Sequence, residues 1–190
     1  DDTSEDHNYK LDGEKFDGYS GMIAISRSTE NWFTNLWIGT KSPNFRTDLG
    51  FTTENNWIAN NLRHEYRFRS NGLIRSGEIG ISAKFIDNYD DVLLQQEYEL
   101  NGEINLSNQF EFRGGFKNNK KLFFEGNSFS NLTNINFSTT YSPSGNFYIR
   151  AGVNDGKSIA RRIAKPVVGD SFNYNISVSY THLTLPTTVR

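Results

Sequence analysis

The chain has no cysteine, so neither a disulfide framework nor a thiolate metal site can form, and cysteine usage gives no reading of the redox compartment. Histidine is limited to His7, His64 and His182, and no two of these have metal-ligand spacing. No apolar run approaches the ~18 residues of a membrane helix, and the mean hydropathy is -0.64. Helical spans are thereby excluded, but a barrel with a polar lumen is not. A formal net charge of -2 and a pI near 6.0 give no electrostatic case for nucleic acid as a partner. Neither a Gly-x-Ser-x-Gly elbow nor a Walker loop occurs, so no catalytic site and no cofactor are expected. The chain opens at Asp1 with neither Met nor a signal-peptide pattern, which predicts a processed product or a fragment.

What the chain does have is alternation. From Val92 to Leu106, Val92, Leu94, Gln96, Tyr98, Leu100, Gly102, Ile104 and Leu106 share one face, and Leu93, Gln95, Glu97, Glu99, Asn101, Glu103 and Asn105 share the other. Only a strand sorts residues this way. After Ser107-Asn108 the pattern resumes, with Phe110, Phe112, Gly114 and Phe116 opposite Gln109, Glu111, Arg113 and Lys117. A run of Glu, Gln, Asn and Arg facing inward needs a hydrated interior, which a transmembrane β-barrel has.

The same pattern recurs along the chain. Strands are expected at about 16–26, 32–40, 57–69, 73–86, 92–106, 110–117, 133–141, 147–154 and 172–180. Residues 1–15 read as an acidic arm or loop without the ligand spacing of an EF-hand. Connections after the first, third, fifth and seventh strands read as short, and those after the second, sixth and eighth as long, with 118–131 and 155–171 counted as loops. That segregation is the arrangement of outer-membrane barrels. The fold class expected is all-β, an antiparallel up-and-down meander of about nine strands forming part of a transmembrane β-barrel.

The inward charges are the one constellation with chemistry: Arg63, Glu65, Arg67, Lys84, Glu97, Glu99, Glu103, Glu111, Arg113 and Arg150. Such charges can tune a pore, or they can pair across strands and close the interior. The second reading is preferred, because a barrel of around eight strands leaves room only for side chains. His64 falls on the apolar face and reads as an interfacial residue rather than a base. Trp32, Trp37, Trp57, Tyr66, Tyr98 and Tyr141 include candidates for aromatic girdles.

Two stretches carry resemblances. Residues 18–69, and above all Ser42, Pro43, Phe45, Gly50 and Phe51, resemble the C-terminal barrel region of the DUF5916 family. In that family the barrel follows a domain like carbohydrate-binding family 9, in Bacteroidetes-type outer membranes. The resemblance implies an outer-membrane location, lipid as a partner, and a non-catalytic role serving a surface glycan system. Glycan, or the N-terminal carbohydrate-binding-like domain missing here, is the further partner it implies. Residues 178–187 resemble the translated transposon-end adapter of sequencing libraries, so the native barrel segment is expected over 16–177 and a foreign tail over 178–190. The rival readings are a soluble β-sandwich that binds carbohydrate and a hydrolase with its site at the barrel rim.

Overall fold

The computed structural model describes residues 17–45, 54–160 and 165–180. Those residues form nine strands: β1 (Ser20–Ser28), β2 (Trp32–Lys41), β3 (Trp57–Arg69), β4 (Ile74–Asp87), β5 (Leu93–Leu106), β6 (Phe110–Phe124), β7 (Asn127–Ser144), β8 (Phe147–Ala160) and β9 (Val167–Tyr180). They pair in chain order into one antiparallel sheet, an all-β meander without helices among the described residues. The two edge strands, β1 and β9, are not paired with each other, so the sheet is open.

Register explains how one face becomes continuous. Paired residues share a face, and Ile25, Leu36, Leu62 and Ala83 lie across β1 to β4 in one row. A second row carries Ile81, Leu100, Phe116 and Ile135 across β4 to β7. Rows of this kind make one face apolar from edge to edge, while the other carries the Arg, Glu, Asn and Ser of each strand.

Burial on the two faces is inverted relative to a protein with a hydrophobic core. Ile81, Leu62, Leu100 and Phe137 on the apolar face are 44–57% exposed, whereas Glu65 on the polar face is 1% exposed. The polar face is the concave one, since a single recess on it is lined from β2 through to β6. Among the described residues only Ala59 and Leu132 are buried hydrophobics, and both lie on that concave side.

Two expected loops are strands. The segment 118–131 continues β6 and β7, which are joined by the two-residue turn Glu125-Gly126 with φ of 46° and 75°. Lys120 is left unpaired where the β5–β6 register shifts between Gln96 and Glu97, and Asn131 on the neighbouring β7 has a φ of 54°. This irregularity breaks the alternation that would have marked the strands. The segment 155–171 is likewise mostly strand, since β8 reaches Ala160 and β9 begins at Val167. The expected segregation of short and long connections is therefore corrected: the longest connection is 42–56, and the β6–β7 connection is a tight turn. β9 runs through Val178 to Tyr180, paired with Ile149 to Phe147, while 181–190 and the arm at 1–15 lie outside the described residues.

Candidate functional site

The polar face is built outward from Glu65. A strand places every second side chain on one side, so Arg63, Glu65 and Arg67 of β3 stand in a line. Both arginines ion-pair with the Glu65 carboxylate, and their own side chains are 51% and 44% exposed. Phe33 of β2 faces Glu65 from one neighbour, and its ring lies 5.0 Å from the Arg67 guanidinium. Gly80 of β4 faces it from the other. A buried carboxylate without partners would be costly, and here two guanidinium groups with wet outer surfaces satisfy it.

A second network spans β5 and β6. Arg113 Nε bonds Glu103 Oε2 at 2.8 Å and Glu111 Oε1 at 3.0 Å, and Asn105 donates to Glu103 Oε1 at 2.7 Å. Lys117 Nζ lies 2.9 Å from Glu97 Oε2, which also accepts from Gln95 at 3.0 Å. The two networks approach each other at β4, where Glu78 lies 3.7 Å from Arg67. Glu78 and Lys117 complete ion pairs that reading residue by residue does not single out, although their parity already puts them on this face.

Three of the expected charges stand apart. Lys84 sits in register between Asn61 and Glu97, and Glu99 between Ser82 and Lys117; neither has an ion-pair partner among the described residues. Arg150 is exposed on β8 and donates to Thr140 Oγ1 at 3.2 Å. Toward β8 and β9 the face turns to amides and hydroxyls, with Asn134 donating to Asn154 Oδ1 at 2.5 Å. Charge is thus concentrated on β3 to β6. The exposed pairs contribute about 0–1 kcal/mol each, so their effect is to neutralise the face rather than to hold the sheet together.

Among the recesses on this face, two lie at its opposite ends. One, of about 520 Å³, lies at the β1–β2 turn end beside Arg67, Glu78 and Glu103. The other, of about 810 Å³, lies at the opposite end between Trp37, Trp57, Lys84 and Gln95. Trp37 and Trp57 face inward there as a stacked pair, with ring centroids 6.3 Å apart and planes at 28°. Lys41 Nζ lies 5.7 Å from the Trp57 ring and from the Phe45 ring.

The chain leaving β2 continues at that end through Ser42, Pro43 and Phe45. Ser42, 5% exposed, exchanges two hydrogen bonds with Tyr19: its amide donates to the Tyr19 carbonyl at 2.9 Å, and its Oγ accepts from the Tyr19 amide at 2.8 Å. After Pro43 the Phe45 amide donates to the Ser42 carbonyl at 3.2 Å. The chain passes so close to Gly18 that a Cβ there would lie 2.4 Å from Phe45 Cα. Gly50 and Phe51 lie outside the described residues.

The outer face carries aromatics at the turn end. Trp32 stacks on His64 at 5.1 Å and lies 4.7 Å from Tyr66; Phe110 lies 4.5 Å from Tyr141. His64 Nδ1 bonds Thr34 Oγ1 at 2.8 Å, a local partner on the same face. Trp32, Tyr66, Tyr98 and Tyr141 belong to this face, and Trp37 and Trp57 do not. Among the described residues no group of three or more His, Cys, Asp or Glu is placed to hold a metal ion. Compared with protein-family models, curated proteins and solved structures, the chain gives no match.

Proposed function

We propose that this chain is part of a membrane-embedded β-barrel whose apolar face meets lipid and whose charged face lines a neutralised interior. The observation that carries the reading is the inverted burial: large hydrophobics from Ile23 to Val178 stay exposed on one face while Glu65 is covered on the other. In water such a face would be a liability far above the few hundred Å² that monomers tolerate, whereas in lipid it is the required surface. Trp32, Tyr66 and Tyr141 near one end of the strands support an interfacial girdle. A soluble sandwich needs a second sheet over the apolar face, and the described strands form only one.

The barrel is of the outer-membrane type and non-catalytic, and it serves a surface glycan system in the manner that the DUF5916 resemblance implies. The test is partitioning of the full chain refolded with and without detergent or liposomes. Flotation with liposomes and protease protection of β3 to β7 are expected. A monodisperse, folded protein in detergent-free buffer would overturn the reading.

A further inference from the structure

The 810 Å³ recess at the β2–β3 connection end has the volume of a small-molecule site, which is typically about 300–1,000 Å³. Its composition differs from the rest of the polar face. Elsewhere the cations are mostly ion-paired, but among the described residues Lys84 has no ion-pair partner, because the neighbouring Glu97 carboxylate is taken by Lys117 and Gln95. Glu54, exposed at the rim, is the one carboxylate among the lining residues, against Lys41 and Lys84.

Beside Lys84 stand two half-buried indoles. The Trp37 ring lies over Gly39, where a Cβ would come within 2.7 Å of it, and Trp57 stacks alongside. Gly39 therefore gives the Trp37 ring its place. Opposite the rings, Gln95 spends its amide N–H groups on Glu97 and Asn119. Its carbonyl oxygen remains as an acceptor, and the Asn61 amide beside Lys84 can both donate and accept.

We infer that this recess binds an acidic sugar, with the ring stacked on the Trp37–Trp57 pair and the carboxylate on Lys84. A sugar ring has one flat C–H face and an edge of hydroxyls that both donate and accept. That combination uses the indoles, the amides and the free ammonium together. An aromatic acid would use the rings and the lysine but leave the Asn61 and Gln95 amides without partners, which costs affinity in a polar recess. The inference does not rest on the membrane reading, since the recess belongs to the curvature of the sheet whatever meets its outer face.

The experiment is a titration of the full chain, folded in detergent micelles, with glucuronate and a uronic acid trimer, followed by tryptophan fluorescence and calorimetry. Glucose and benzoate are the controls. A saturable response to a uronate is expected, weakened about tenfold or more by Lys84→Met and recovered by Lys84→Arg, with circular dichroism unchanged in both variants. Glucose should bind weakly and be indifferent to Lys84→Met. Absence of a saturable response to either uronate would overturn the inference, as would an equal response in Lys84→Met or benzoate binding as tightly as glucuronate.

Discussion

Gly80 stands directly across the β3–β4 ladder from Glu65, and an added Cβ would lie 3.1 Å from Glu65 Cγ and 2.9 Å from the Asn101 side-chain oxygen. The missing side chain makes room for the buried carboxylate. Gly80→Val should therefore cost about 1–3 kcal/mol by overpacking. Gly102→Ala is the control, since its Cβ meets only the Glu78 carbonyl at 3.5 Å, an ordinary contact. Urea denaturation in detergent should separate the two; equal midpoints would refute the crowding argument.

Removing Glu65 and removing its partners should not be equivalent. In Glu65→Gln, Arg63 and Arg67 keep hydrated outer surfaces, so the variant should lose about 1–2 kcal/mol. In the double variant Arg63→Ala, Arg67→Ala, a covered carboxylate is left without its cations, and the loss should approach 3–5 kcal/mol. Refolding yields and denaturation midpoints in the reverse order would show that Glu65 is not held as described.

Sidedness can be tested on adjacent residues. Ile81 is 57% exposed on the apolar face, and its neighbour Ser82 faces Arg63 and Glu99 on the other. Ile81→Arg should cost roughly 2–4 kcal/mol if that face meets lipid near the midplane. Ser82→Arg should be tolerated, because Glu99 lies opposite. Equal tolerance in a liposome-insertion assay would contradict the proposed orientation.

The β6–β7 turn places both central residues at positive φ, which suits Asn-Gly better than Glu-Gly. Glu125→Asn should stabilise the hairpin by several tenths of a kcal/mol, up to about 1. Gly126→Val should destabilise it, since a β-branched residue disfavours a φ of 75°. Hydrogen exchange of the Phe124 and Asn127 amides reads the change directly. No gain from Asn together with no loss from Val would mean that the turn is not formed.

One pH effect follows from the loop end. The Tyr19 hydroxyl is raised above its ordinary value of 10.0 by a hydrogen bond with Tyr89, whose hydroxyl also lies 2.5 Å from Thr40 Oγ1. A raised folded-state value means that the folded protein holds this proton more tightly than the unfolded chain does. The resulting stabilisation is complete below the ordinary tyrosine range and is lost as pH rises through the raised value. Tyr89→Phe should move one tyrosine titration, followed by ultraviolet absorbance, back toward the ordinary range. An unchanged titration curve would remove the assigned cause.

Most of this architecture is legible in the sequence because a strand has a period of two. Leu100 and Glu99 declare opposite faces without any knowledge of their neighbours. The partners of a charge are another matter, since they depend on register. Arg113 finds Glu103 and Glu111 only once β5 and β6 are aligned, and nothing local marks Lys84 as a cation left without an ion pair among the described residues. Trp37 and Trp57 likewise meet through the β2–β3 register, across a connection that separates them in the chain. The outer arms of β6 and β7 were hidden for a different reason. Asn118-Asn119-Lys120-Lys121 is polar throughout and carries the register break, and Glu125 occupies a turn position where Asn or Gly would have signalled a hairpin.

In a meander every odd strand runs the same way, so β1 and β9 point in one direction although all eight seams between consecutive strands are antiparallel. Zipping these two edges together would create a single parallel seam in an otherwise antiparallel ring. Parallel pairing is somewhat weaker per residue, and such a seam would be where the ring opens first under load or denaturant. A ring with uniform seams instead requires one more opposite-running strand than same-running ones between the two edges, the smallest case being one strand directed like β8. Direction alone therefore dictates what can stand between Ser20–Ser28 and Val167–Tyr180.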